Sequence, residues 1–179
     1  MRFLFLCLLL SCVSSHTATR NPLESINAKA ATLERIEVEE INSETAEAFI
    51  KKLKTFEDGR PFVVVFDSPG GSVHWGEKMS VAIERSPVPV VCVVDGMAAS
   101  MGFYILQSCD VRVMTTRSLL MGHEPSSGAQ GQPSEMSRMA DLLQKLSKAM
   151  AYHITRKSQM SVPEYLEKIQ GGKEFWLTV

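Results

Sequence analysis

The chain has 179 residues, 45% hydrophobic and 22% charged, with 19 basic against 20 acidic side chains and a net charge of −1. That is enough chain for one domain of ordinary size with a sizeable core. The balanced charge excludes the strong basic excess of a nucleic-acid binder.

Met1-Arg2 opens with a positive charge, residues 3–13 form an apolar or small-residue run, and Ser14, Ser15 and His16 follow. A basic start, a short apolar middle and small residues after it read as a secretory signal over residues 1–19. The run is too short for a membrane-spanning helix, which needs about 20 apolar residues. The segment Leu9-Leu10-Ser11-Cys12 is similar to a bacterial lipobox, although Leu10 is larger than the usual residue there. Lipidation of Cys12 and ordinary cleavage near 15–19 both remain open. Either fate predicts an exported protein, periplasmic or secreted, with membrane anchoring only through a lipidated Cys12. Residues 20–31 read as a linker and 32–179 as the folded domain.

Residues 33–38 alternate apolar and polar, which predicts a strand with one wet face. Asn42 or Ser43 caps a helix whose apolar positions are Ala46, Phe49, Ile50 and Leu53. Residues 57–61 form a turn. The continuous apolar runs 62–66 and 88–94 predict strands buried on both faces. A helix over 73–85 separates them, and another begins near Ala98 or Ala99. Residues 111–114 and 118–123 predict two more strands. A long amphipathic helix covers 134–157, with Met136, Met139, Leu142, Leu143, Leu146, Met150 and His153 at three- and four-residue steps. Ser161 caps a last short helix with Pro163 in its first turn. Strand and helix alternate, so the fold class is α/β with a mainly parallel sheet. Function in such sheets collects at the carboxyl ends of strands.

Two glycine-rich loops fall at such ends. In the first, Gly70 and Gly71 follow a buried strand, and their backbone can turn sharply and approach a ligand closely. In the second, Ser100 sits at a helix start among small residues, flanked by Ala98, Ala99 and Gly102. A serine hydroxyl is a weak nucleophile until a base takes its proton. His123 emerges at the end of the fourth apolar strand, and its near-neutral pKa suits that task. Read alone, each is as well explained structurally: a tight turn, a helix cap, a satisfied core histidine. Cys7 and Cys12 lie in the signal. Cys92 and Cys109 lie in apolar surroundings; inert core thiols are the default, and a disulfide stays open in an exported protein. No CxxC or His-Cys cluster points to zinc, so no metal or cofactor is expected.

Taken together, SPGGSV, GMAASMG, His-x-Pro after an apolar strand, and Gln130-Gly131-Gln132 resemble, in order, the pattern of the Clp protease proteolytic subunit (ClpP) family. The resemblance covers roughly residues 33–179. Ser100 and His123 are 23 residues apart, a couple fewer than is usual in that family, and the deletion falls in the 108–117 loop. The resemblance implies a ClpP/crotonase-like fold of repeated β-β-α units with an extended handle helix. It implies serine endopeptidase chemistry with Ser100 as nucleophile and His123 as base. It gives Gly71 and Met101 to the oxyanion hole. Gly70, Ser72 and the stretch Gly128, Gln130 and Gln132 become substrate binders, the last by backbone pairing of an extended peptide. It also implies a homo-oligomeric ring joined through the helix over 134–157. Glu174 falls where the family supplies the aspartate of the triad, with Glu124 as an alternative acid. The chain ends at Val179, where family members continue with another helix and strand. Residues 17–31 do not resemble the family's axial loops. An exported protein lacks ATP, so no ATPase partner is expected, and the substrates would be short or unfolded peptides. Three other readings compete: a crotonase-like acyl-CoA enzyme, a peptide-binding ring without catalysis, and a Ser–Lys protease with Lys78 as base.

Overall fold

The computed structural model describes residues 35–56 and 59–179. The expected signal over 1–19, with Cys7 and Cys12, and the expected linker over 20–31 lie outside the described residues.

Six strands form one sheet: β1 (Arg35–Ile41), β2 (Phe62–Gly71), β3 (Val90–Ala99), β4 (Val111–Met114), β5 (Leu119–Gly122) and β6 (Phe175–Leu177). Five helices accompany them: α1 (Ser43–Lys54), α2 (Val73–Glu84), α3 (Met101–Leu106), α4 (Pro133–Thr155) and α5 (Val162–Ile169). The strand order is β1-β2-β3-β5-β6, with β4 also on β3. All pairs are parallel except β5 with β6. β3 divides its edge between two partners. Its first half, 91–94, pairs with β4, and its last residues, 97–99, pair with β5. The change of partner delivers the ends of β3 and β5 side by side. This is the mainly parallel α/β sheet expected from the sequence.

The apolar runs of β2 and β3 are buried because helices cover the sheet. Phe62, Val64, Phe66, Val90, Cys92 and Val94 are all fully buried. Phe62 packs edge-on against Phe49 of α1 and against Phe56, with ring centroids 6.3 and 5.0 Å apart. Such edge-to-face pairs contribute about 1 kcal/mol beyond the area they bury.

Two local expectations are corrected, and one segment is irregular. β2 and β3 continue past their apolar runs, to Gly71 and Ala99, so the helix expected from Ala98 starts only at Met101. Parallel pairing of Met97, Ala98 and Ala99 with β5 holds that segment extended. Residues 128–132 form no strand: the chain is irregular from His123 to the start of α4. Cys92 and Cys109 are not free thiols but a disulfide, with Cα atoms 6.0 Å apart. It ties the middle of β3 to the turn after α3.

The first half of α4 stands away from the body. Residues 133–138 are all exposed, Met136 and Leu142 are 44% and 56% exposed, and burial begins at Ser147. Among the described residues no helix is long and apolar enough to cross a membrane.

Candidate active site

Ser100 sits between the end of β3 and α3 with φ 54° and ψ −119°, the one positive φ of a non-glycine among the described residues. A side chain strained in this way turns sharply out of the sheet, and such strain collects at functional sites. Two bonds hold the turn. The Ser100 amide donates to the Met121 carbonyl at 2.8 Å, and its carbonyl accepts from the Tyr104 amide at 3.1 Å. Its hydroxyl makes no capping bond, so the helix-cap explanation fails. Instead, Ser100 Oγ lies 2.7 Å from His123 Nε2. α3 behind it is wholly buried, from Met101 to Leu106.

The 67–71 segment is locked against this turn. A bulge interrupts the β2–β3 register between Phe66 and Ser68, the device by which strands re-aim side chains near sites. Asp67 accepts the Met97 amide at 3.1 Å. Ser68, fully buried, donates to the Glu39 carbonyl and accepts the Gly70 amide at 3.1 Å. Gly70, at φ 107°, packs so closely that a Cβ there would lie 2.6 Å from Ser100 Cβ and 3.0 Å from Met101 N. Gly71 faces β1, where a Cβ would meet the Ile41 carbonyl oxygen at 2.3 Å.

Ser100, His123, Gly71 and Met101 line one cavity of about 70 Å³, closed by Val73, Pro125, Met150 and Tyr165 among others. Four residues singled out in the sequence therefore meet at one place. Met101 opens α3, where helix amides have no partner within the helix. Burial raises the Tyr165 phenol above its ordinary range, so that side chain is a neutral wall.

The remaining candidates lie elsewhere. Ser72 caps α2: its hydroxyl accepts the Trp75 amide at 3.5 Å and its own amide donates to the Ile41 carbonyl at 2.7 Å. Gln132 caps α4, and its amide donates to Glu135 at 2.9 Å. Gly128 and Gln130 are exposed on the irregular segment. Lys78 lies over the Trp75 ring, 4.0 Å from its centroid, and makes no bond to Ser100. Glu174 makes no hydrogen bond to His123; its carboxylate accepts from the Trp176 indole at 3.0 Å. Glu124 accepts the Gly172 amide at 3.1 Å, so neither carboxylate orients the imidazole here. The backbone nevertheless brings Glu174 close. Met121 pairs with Trp176 and Gly122 with Phe175, so one further step sets His123 opposite Glu174. Directly opposed residues of antiparallel strands share a face.

Asp67, Ser68 and Tyr165 escaped the sequence reading. Asp67 and Ser68 were legible only as part of a turn, and nothing in the pattern marks Tyr165. Among the described residues no cluster of three or more His, Cys, Asp or Glu side chains could hold a metal.

Fold and site together define an α/β protein with a serine and a histidine in contact at the carboxyl ends of two strands. The family model "Clp protease" matches residues 24–179, and the chain belongs to that family, a family of peptidases. It is 33% identical over 148 residues to ATP-dependent Clp protease proteolytic subunit 1 of Chlamydia pneumoniae, covering 78% of this chain and 76% of the relative. It is 28% identical over 144 residues to the ATP-dependent Clp protease proteolytic subunit of Bacteroides fragilis, covering 79% and 69%. The match to the corresponding subunit of Pleurastrum terricola is 33% over 101 residues, covering 55% and 52%. The chain thus spans from about half to three quarters of the length of these relatives.

Proposed function

We propose that this chain is an exported serine peptidase that hydrolyses short or unfolded peptides without ATP. The 2.7 Å contact between Ser100 Oγ and His123 Nε2 is the observation that carries the reading. His123 takes the hydroxyl proton as Ser100 attacks the scissile carbonyl, and returns it to the leaving amine. The Gly71 and Met101 amides receive the negative charge that develops on the carbonyl oxygen, often the largest catalytic contribution. Water then attacks the acyl-enzyme with His123 again as base, releasing the acid product.

Glu174 is the orienting carboxylate in this reading. The strand register favours it over Glu124, and its carboxylate must leave the Trp176 indole to reach the imidazole. The exposed apolar residues of α4, Met136 and Leu142, support association into a homo-oligomeric ring through that helix. The disulfide supports an oxidising, exported compartment. Export makes an ATPase partner unnecessary, and membrane attachment would come only from lipidation of Cys12. A peptide-binding ring without catalysis is the second reading, favoured by the Glu174–Trp176 bond. Hydrolysis of fluorogenic peptide amides by the parent and by Ser100→Ala separates the two readings: the first requires Ser100-dependent turnover, the second none.

A further inference from the structure

One buried hydroxyl holds the part of the β1–β2 ladder that leads into the catalytic cavity. The register of that pair shifts between Val38 and Glu40, opposite residues 67–69 of β2. Pro69 has no N–H to lend the ladder there. The Ser68 hydroxyl takes over: it accepts the Gly70 amide at 3.1 Å and donates to the Glu39 carbonyl. The two strands are thus joined at the irregularity through a side chain that is fully buried. Both backbone groups depend on it for a partner in a place closed to solvent.

The consequence falls on Gly71. The Ser72 amide donates to the Ile41 carbonyl at 2.7 Å, so it faces β1. The Gly70 amide faces the same strand through Ser68. Successive amides of an extended chain point to opposite edges. The Gly71 amide, between these two, is therefore turned from β1 toward the cavity that Gly71 lines with Ser100 and His123. Ser68 also backs the second donor of the site. Gly102 follows Met101, and a Cβ on it would lie 3.3 Å from Ser68 Cβ, so the start of α3 rests on the same side chain.

We propose that Ser68 is a positioning residue of the reaction: its hydroxyl aims the Gly71 amide at the oxygen on which negative charge develops. Ser68 itself touches no substrate and acts through the Gly70–Gly71 peptide unit. The inference rests on the peptidase reading. A mis-aimed donor weakens binding of the transition state and leaves binding of the ground-state peptide alone.

Kinetics on fluorogenic peptide amides with the full-length protein test this. Ser68→Ala should lower kcat by about 100-fold, with KM within about twofold of the parent. Ser68→Cys, which fills the same space with a weak hydrogen-bonding group, should lose as much. Ser68→Thr, which keeps the hydroxyl, should recover most of the turnover. A peptide aldehyde, whose oxygen enters the oxyanion hole only on addition to Ser100, should bind Ser68→Ala more weakly by the same factor. Thermal melts of each variant check folding. Unchanged kcat in Ser68→Ala or Ser68→Cys, a loss carried by KM instead, or an equal loss in Ser68→Thr would overturn the proposal. The Gly71 amide resonance of isotope-labelled protein reads the aim without turnover: it should shift in Ser68→Ala and hold in Ser68→Thr. A folded parent with neither phosphonate labelling nor turnover, beside that shift, would sink the peptidase reading and leave the Ser68 clamp standing.

Discussion

The Ser100 amide donates to the Met121 carbonyl at 2.8 Å, so the turn that carries the nucleophile is bonded to the strand that carries the base. His123 follows two residues later. The Ser100–His123 distance is therefore set by backbone pairing between β3 and β5, and movement of either strand end would disturb it.

Gly70→Ala tests how closely the neighbouring loop is fitted. The added Cβ would meet Ser100 Cβ at 2.6 Å at a backbone φ of 107°, so the turn must shift. Misplacement of a catalytic group by about 1 Å costs about 100-fold in rate. Peptide turnover should fall by about that factor, while circular dichroism at 20 °C on the order of that of the parent shows the sheet intact.

Glu174→Gln and Trp176→Phe test the orienting acid. An acid that holds the imidazole matters less than the base itself, and a Glu side chain loses more freedom on ordering than Asp. Glu174→Gln should lower turnover by about tenfold and leave measurable activity, whereas His123→Ala should cost at least about 1,000-fold. Trp176→Phe removes the indole donor that now holds Glu174, and turnover should stay level or rise. Unchanged activity in Glu174→Gln would move the assignment to Glu124.

The buried strands and the two glycine-rich loops were legible because each depends on local pattern: uninterrupted apolar runs, glycines at strand ends, small residues around one serine. The pairing of Ser100 with His123 came from the family resemblance. The position of Glu174 came from the family resemblance alone, and the β5–β6 register that sets it opposite His123 is a finding of the structure. Whether its carboxylate turns to the imidazole depends on Trp176, two residues away, a rotamer choice that no sequence pattern encodes. The 128–132 segment is irregular in the single chain, where β5 already pairs with β3 and β6 and Gln132 is taken by the α4 cap. The pairing of Cys92 with Cys109 needed the turn after α3, which brings them together across 17 positions.

That disulfide gives a stability prediction. A loop of this length corresponds to about 3 kcal/mol in the chain-entropy account. Thiol titration of the denatured, unreduced protein should find neither Cys92 nor Cys109 free. Cys92→Ala/Cys109→Ala should lower the unfolding free energy by about 3 kcal/mol in denaturant titrations.

His153 gives a pH prediction. Its ring stacks on Tyr104 with centroids 4.2 Å apart, and Nε2 lies 3.1 Å from the Tyr104 carbonyl and 3.3 Å from Ser108 Oγ. Nδ1 faces Glu84 at 3.8 Å, which Arg156 also engages. Burial first, then the Arg156 cation, hold the imidazole below its ordinary value of 6.5. The unfolded chain therefore binds this proton before the folded one does. The contribution is absent above the unfolded value, and stability falls as pH drops through it, levelling once the folded imidazole also titrates. Urea titrations at descending pH should show a decline that His153→Gln reduces.

Covalent labelling with a fluorophosphonate, read by intact mass, tests the central claim most directly. The account predicts one adduct per chain on the parent, located at Ser100, and no adduct on Ser100→Ala or His123→Ala. Equal labelling of the parent and Ser100→Ala, or none on the well-folded parent, would contradict it.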